Sequence, residues 1–197
     1  MSTMAATEST RRQVLDLGVV FKQGWRLFIE DVVPLLIATV VAALLSIVTI
    51  GILAGPLYAG LYKMVVLRVR EGRRPEWGDV FSGLDRFWSY LGAAVVLVLL
   101  IGLASITIVG GILLATIWLY VFPVMVDRGV GIGEAMRASY DLVTKGGFWE
   151  HLALVILLAV VNSIGGPAAL VTAPFSIAVI VVAYHAADGR ADAVERA

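Results

Sequence analysis

Three long stretches of this chain, Val32 to Tyr62, Phe87 to Val126 and His151 to Ala187, contain no Asp, Glu, Lys or Arg. At about 1.5 Å per helical residue the middle stretch extends ~60 Å, twice a ~30 Å hydrocarbon core, so it has room for two crossings. The first stretch reaches Leu67 if Lys63 snorkels to the interface. Glycine and proline mark a bend near the middle of each, at Gly51, Gly55 and Pro56, at Gly110-Gly111, and at Gly165-Gly166-Pro167. The pattern predicts three transmembrane hairpins.

Ahead of each hairpin the pattern changes to helical amphipathicity. Val14, Leu17, Phe21, Trp25 and Phe28 recur at steps of three and four, with Lys22, Arg26 and Glu30 on another face. Trp77, Val80, Phe81, Leu84, Phe87, Trp88 and Leu91 repeat the pattern after Pro75, which suits a first helical turn. Ile132, Met136, Tyr140 and Val143 do so a third time, opposite Glu134, Arg137, Asp141 and Lys145. Aromatic rings and snorkelling charges suit these helices to a membrane surface.

The three units overlay. Gly18, Gly78 and Gly133 are spaced 60 and 55 residues apart, and Leu17, Trp77 and Ile132 align at the same offsets. Such self-similarity predicts one building block used three times. The expected fold is all-α: six transmembrane helices as three hairpins, each preceded by a cytoplasmic amphipathic helix. A polar tail, 1–13, precedes a single six-span domain, 14–187, with approximate repeats 14–67, 75–126 and 132–187; a second polar tail covers 188–197.

Charge fixes the expected orientation. The basic residues lie in the N-terminal segment, around Arg70 and Arg137, in the C-terminal tail or at Lys63, and none lies in a hairpin bend. The positive-inside rule then puts both termini and all three amphipathic helices on the cytoplasmic side. Met1 to Gln13 has no apolar core with a small-residue cleavage site, so no removable signal peptide is expected.

Composition narrows the chemistry. Of 197 residues 60% are hydrophobic and 15% charged, far from soluble averages. Fifteen basic residues balance fifteen acidic ones, which leaves no global field to attract nucleic acid. The chain has no cysteine, and so no disulfide, thiolate ligand or thiol nucleophile. No charged residue sits mid-span, against an ion-coupled transporter or an intramembrane hydrolase.

Four candidate sites follow. Arg68, Arg70, Arg73 and Arg74 cluster between a span and an amphipathic helix, where guanidinium forks suit anionic lipid headgroups; the same cluster also serves as a topology signal. Tyr58, Tyr62, Tyr120 and Asn162 are candidates to line a polar pocket. His151 and His185, flanked by Glu150 and Asp188, come together if the last hairpin closes, yet two helix-end ligands make an incomplete metal site, and none is expected. The glycines at 129, 131 and 133 lack the Gly-Lys-Ser/Thr ending of a phosphate cradle.

Asp127, Gly129, Gly131, Glu134-Ala135, Ser139 and Lys145-Gly146 form a run that resembles a broad bacterial group of six-span membrane proteins. That group includes the membrane domain attached to some glycerophosphoryl diester phosphodiesterases and its stand-alone relatives. The resemblance implies a bacterial cytoplasmic membrane protein, and the chain has no room for the soluble phosphodiesterase barrel.

The sequence therefore points to a non-catalytic integral membrane protein, without cofactor, in membrane organisation, lipid handling or as an accessory to a membrane complex. The alternative is a small-molecule transporter or channel with a neutral pore. Expected partners are membrane lipids, anionic ones included, and a membrane-protein partner or further copies of this chain.

Overall fold

The computed structural model describes residues 15–163 and 165–190. The N-terminal tail and most of the C-terminal one lie outside the described residues, as do Val14 and Ile164. The described chain is helical, with no strand. Its α-helices are α1 (Leu17–Glu30), α2 (Val32–Val48), α3 (Ala54–Glu71), α4 (Phe87–Ala104), α5 (Ile108–Ile117), α6 (Val121–Arg128), α7 (Ile132–Lys145), α8 (Phe148–Asn162) and α9 (Ala169–Ala187). A 3-10 segment, Trp77–Arg86, leads into α4, and a shorter one, Gly166–Ala168, leads into α9.

Among the described residues three helical stretches are long and apolar enough to cross a membrane: Trp77–Ala104, Ile108–Arg128 and Gly166–Ala187. Two bent pairs, α1 with α2 at 85° and α7 with α8 at 109°, raise the number to as many as five. The near-right angles have a use: when α2 and α8 stand along a bilayer normal, α1 and α7 lie in its plane. Gly147, at φ +99°, makes the second bend in a conformation that side chains disfavour. At the first, Asp31 leaves helical geometry while its amide still bonds the Leu27 carbonyl.

Helices α3, α6 and α9 pack on one another at the centre. Every residue from Ser176 to His185 in α9 is buried, and α3 buries ten of its side chains or glycines. Outside them α2 lies on α3 and α9, α4 on α3 and α5, and α8 on α5 and α9. The amphipathic segments follow one rule: each packs on the inner helix of another hairpin. Helix α1 lies on α9, Trp77–Arg86 on α3 and α7 on α6.

Small residues make these crossings. A Cβ on Gly24 would stand 2.9 Å from the Val179 Cα, so α1 meets the α9 backbone there. Gly60 faces the Val80 carbonyl and Gly83 the Pro56 carbonyl with no room for a side chain on either. Close backbone approach of this kind replaces hydrophobic burial as the source of helix association inside lipid.

Several sequence expectations shift. The middle bend lies at Ser105–Thr107, not at Gly110-Gly111, which sit inside α5. Thr107 caps α5 by accepting from the Gly110 amide at 3.2 Å, and the glycines leave space for Ala104 and Ser105. The second amphipathic segment is a 3-10 helix, not an α-helix. Its i, i+3 register puts Val80 and Gly83 together against α3, while Trp77, on the same row but at the first residue of the segment, is exposed. On α1 the buried residues are Val20, Gly24, Leu27 and Phe28, with Trp25 turned outward. On α7 they are Ala135, Ser139 and Val143, with Tyr140 outward.

Candidate functional site

Helices α5 and α6 are one apolar stretch broken at Trp118–Tyr120. Pro123 has no amide proton, and its ring crowds the carbonyl four residues back, at Leu119, where the helix opens. Opening frees polar backbone groups that apolar surroundings penalise. Ser139 of α7 takes two of them: its hydroxyl donates to the Ile117 carbonyl at 2.8 Å and accepts from the Tyr120 amide at 3.1 Å. Both Ser139 and Tyr120 are fully buried, so α7 holds the break closed from outside.

About two turns beyond, the ends of the three inner helices meet at Asp127. Its side chain is 3% exposed. It accepts from the Tyr184 hydroxyl at 2.8 Å, from Arg190 Nη2 at 2.6 Å and from Arg70 Nη1 at 3.3 Å. Asp188 adds contacts to Arg190 at 2.6 Å and Arg128 at 2.7 Å. Burial disfavours the charge on Arg190, but the Asp127 carboxylate, with Tyr184 and Asp188, outweighs it and raises the guanidinium pKa above its ordinary value. A carboxylate in the last turn of a helix opposes the helix dipole, so Asp127 depends on these cations.

The arginine cluster is engaged by carboxylates. Arg68 bonds Asp31 at 2.8 Å and Glu30 at 3.0 Å, Arg70 reaches Asp127, and Arg73 bonds Asp79 at 2.7 Å. Asp79 in turn caps the 3-10 segment by accepting from the Glu76 amide at 3.0 Å. Arg74 is exposed and has no carboxylate partner among the described residues. Arg70 and Arg73 keep about half of their side-chain surface in solvent.

His151 and His185 are both fully buried. Each is turned by its Nδ1 toward the carbonyl of the preceding turn, Gly147 at 2.6 Å and Val181 at 2.9 Å. The His151 ring meets Tyr120, Tyr120 meets Tyr184, and Tyr184 meets His185, with centroids 5.4, 5.9 and 5.1 Å apart. The Tyr120 hydroxyl and the two histidine Nε2 atoms have no hydrogen-bond partner among the described residues. Among the described residues no group of three or more His, Asp or Glu side chains converges as a metal site. Glu150 lies beside Gly147, and Asp188 belongs to the Asp127 cluster.

The four candidate pocket residues separate. Asn162 bonds Ser176 at 2.8 Å and so fastens α8 to α9, while Tyr120 is enclosed in the ring series. Tyr58 and Tyr62 do line a groove of about 340 Å³ between α3, α4 and α6. Ala94, Leu97 and Val98 of α4 and Phe122 of α6 complete most of its wall, and Tyr62 stacks on Phe122 with centroids 5.9 Å apart. Its chemistry is hydrocarbon apart from the two hydroxyls.

Compared with protein-family models, curated proteins and solved structures, the chain matches none. The run from Asp127 to Gly146 nevertheless has a structural meaning. Asp127 joins the inner helix ends, Gly129 ends α6 at φ +65°, and Ala135 and Ser139 seat α7. At Gly146 a Cβ would stand 3.1 Å from the His151 ring. These residues place the third amphipathic helix on the bundle.

Proposed function

We propose that this chain is a non-catalytic, six-span protein of a bacterial cytoplasmic membrane, with both termini inside, working in lipid handling, in membrane organisation or beside a partner complex. The placement of the tryptophans carries the proposal. Trp25, Trp77, Trp88 and Trp149 are exposed, and each lies on an amphipathic segment or in the first turn of the helix that follows it. Indole rings are enriched at bilayer interfaces. At the opposite end the bends expose Ile50, Ile52 and Ile106, and between the two lie the outward faces of α2, α4 and α8, rich in Val, Leu and Ile.

Six spans require α3 to cross although it carries Lys63, Arg68, Arg70 and Glu71. Its position supports this. It lies against both α6 and α9, and the Arg68–Asp31 pair brings its far end back beside the start of α2. A repeat of the first unit in the third is supported by the boundaries: Leu17, Glu30 and Ala54 correspond to Ile132, Lys145 and Ala169 at one constant offset. The packing of each amphipathic segment on the inner helix of another hairpin supports the threefold form.

Single cysteines at Ile50, Ile106 and Gly165 test the topology against the cysteine-free background. They should react with an impermeant maleimide from outside intact cells, whereas cysteines at Arg74 and Arg137 should not. The reverse labelling would invert the proposal. A small-molecule transporter with a neutral pore is favoured by one observation, the broken α5–α6 stretch, since discontinuous helices line transport sites. Solute flux into liposomes holding the protein would support that reading.

A further inference from the structure

We propose that the groove between α3, α4 and α6 holds one acyl chain of a membrane lipid, entering sideways from the bilayer. The inference rests on the reading above that these helices span the membrane. Size sets the first constraint: about 340 Å³ lies at the low end of ligand pockets, room for a single chain and not for a whole lipid.

Depth sets the second. Tyr62 precedes Arg68 by about 9 Å of helix, and Val98 follows Trp88 by about 15 Å. A ~30 Å hydrocarbon core then places Tyr62 and Val98 inside it, while Ala54 and Gly55 extend the groove toward the bend at the other end. The lining agrees with that solvent: it offers the side chains of Ala94, Leu97, Val98 and Phe122, and the rings of Tyr58 and Tyr62.

The opening supplies the third. Val98 is 70% exposed and Tyr58 is 40% exposed, so the groove is open toward the outer surface of the bundle. Its origin is built in. Gly55 lets α4 touch the α3 backbone, where a Cβ would lie 2.6 Å from the Tyr90 carbonyl, while the stacked Tyr62 and Phe122 rings form the inner wall. An unfilled space of this size would forfeit dispersion contacts along its whole wall. The chains of the surrounding bilayer are present at far higher concentration than any second copy of the protein.

The test reconstitutes the full chain in vesicles of phosphatidylcholine and phosphatidylglycerol, with a trace of phosphatidylcholine bearing a mid-chain diazirine. After irradiation, adducts are mapped by mass spectrometry. Adducts at Tyr62, Leu97 and Val98 should exceed those on the outward α2 residues Ile37, Val40 and Leu44 several-fold. Val98→Trp, which fills the mouth, should abolish the excess, and Val95→Trp, outside the groove, should keep it. Should Val98→Trp fail to fold, Val98→Phe fills the same mouth. Equal labelling of groove and α2, an excess that survives the filling variants, or cross-links between two copies at the groove would each overturn the proposal while leaving the spans intact. Labelling of neither surface would overturn the spanning reading itself, and this proposal with it.

Discussion

Arg68 Nε lies 2.8 Å from Asp31 Oδ2, and the two side chains are 12% and 7% exposed. Asp31 is the residue at which α1 turns into α2, and Arg68 is in the last turn of α3. One buried pair therefore fixes the bend of the first amphipathic helix and closes the first hairpin. Arg68 also reaches Glu30 at 3.0 Å, which satisfies the guanidinium further.

Removing one member of a buried pair leaves the other uncompensated, at a cost of about 3–5 kcal/mol. Because Arg68 keeps Glu30 as a second partner, Asp31→Asn should cost less than that in detergent, read as a fall in the thermal unfolding midpoint. Arg68→Lys should cost less, because the charge stays and only the fork geometry goes. Equal midpoints for wild type and Asp31→Asn would show that the pair does not hold the bend.

Asp127 gives a second prediction, because it joins α3, α6 and the chain after α9 through Arg70 and Arg190. Both arginines are partly exposed, so the energy is reduced by solvent screening, and the sharper quantity is the coupling. A double-mutant cycle of Asp127→Asn with Arg190→Gln should show a coupling of about 1 kcal/mol or more, since interacting groups in one network are non-additive by 0.5–3 kcal/mol. Strict additivity would mean that the contact is incidental.

How far the sequence disclosed this arrangement depends on side-chain size and on chain separation. The start of α7 at Ile132 was legible, since large apolar residues at steps of three and four mark it, whereas α1 starts at Leu17 behind an Asp16 cap and the apolar pattern begins at Val14. The buried faces were not, because Gly24, Ala135 and Ser139 make contacts without adding to any hydrophobic stripe. The arginine cluster was visible, but its carboxylates at Asp31 and Asp127 lie far away along the chain, and only the fold brings them together. Asp127 carried one faint signal, an acid at a helix C-terminus, where the dipole disfavours it. Gly110-Gly111 misled because glycine serves close packing in lipid as well as turning.

The glycines give a third prediction that separates these two uses. Gly60→Ala would drive a methyl into the Val80 carbonyl, backbone against backbone, with no side chain free to yield. Gly78 has open space around its Cβ position and an ordinary φ. Gly60→Ala should lose monodisperse elution in mild detergent, and Gly78→Ala should elute as wild type. Tolerance of both would mean that the 3-10 segment does not sit on α3 at that distance.

Anionic lipid recognition is best tested at Arg74. Replacing the whole cluster by lysine would break the protein's own pairs at Arg68 and Arg73, so a change in lipid retention would be confounded with a change in fold. Arg74 stands apart from those pairs and is exposed beside the start of the Trp77–Arg86 segment. A basic residue at an anionic surface contributes about 1 kcal/mol, equivalent to roughly fivefold in affinity, and a guanidinium adds two parallel hydrogen bonds to phosphate oxygens. Native mass spectrometry should then show fewer retained phosphatidylglycerol molecules in Arg74→Gln than in wild type, with Arg74→Lys between them. Retention equal in Arg74→Lys and wild type would show that charge alone is used, and retention equal in all three would leave the cluster as an orientation signal braced by Asp31, Asp79 and Asp127.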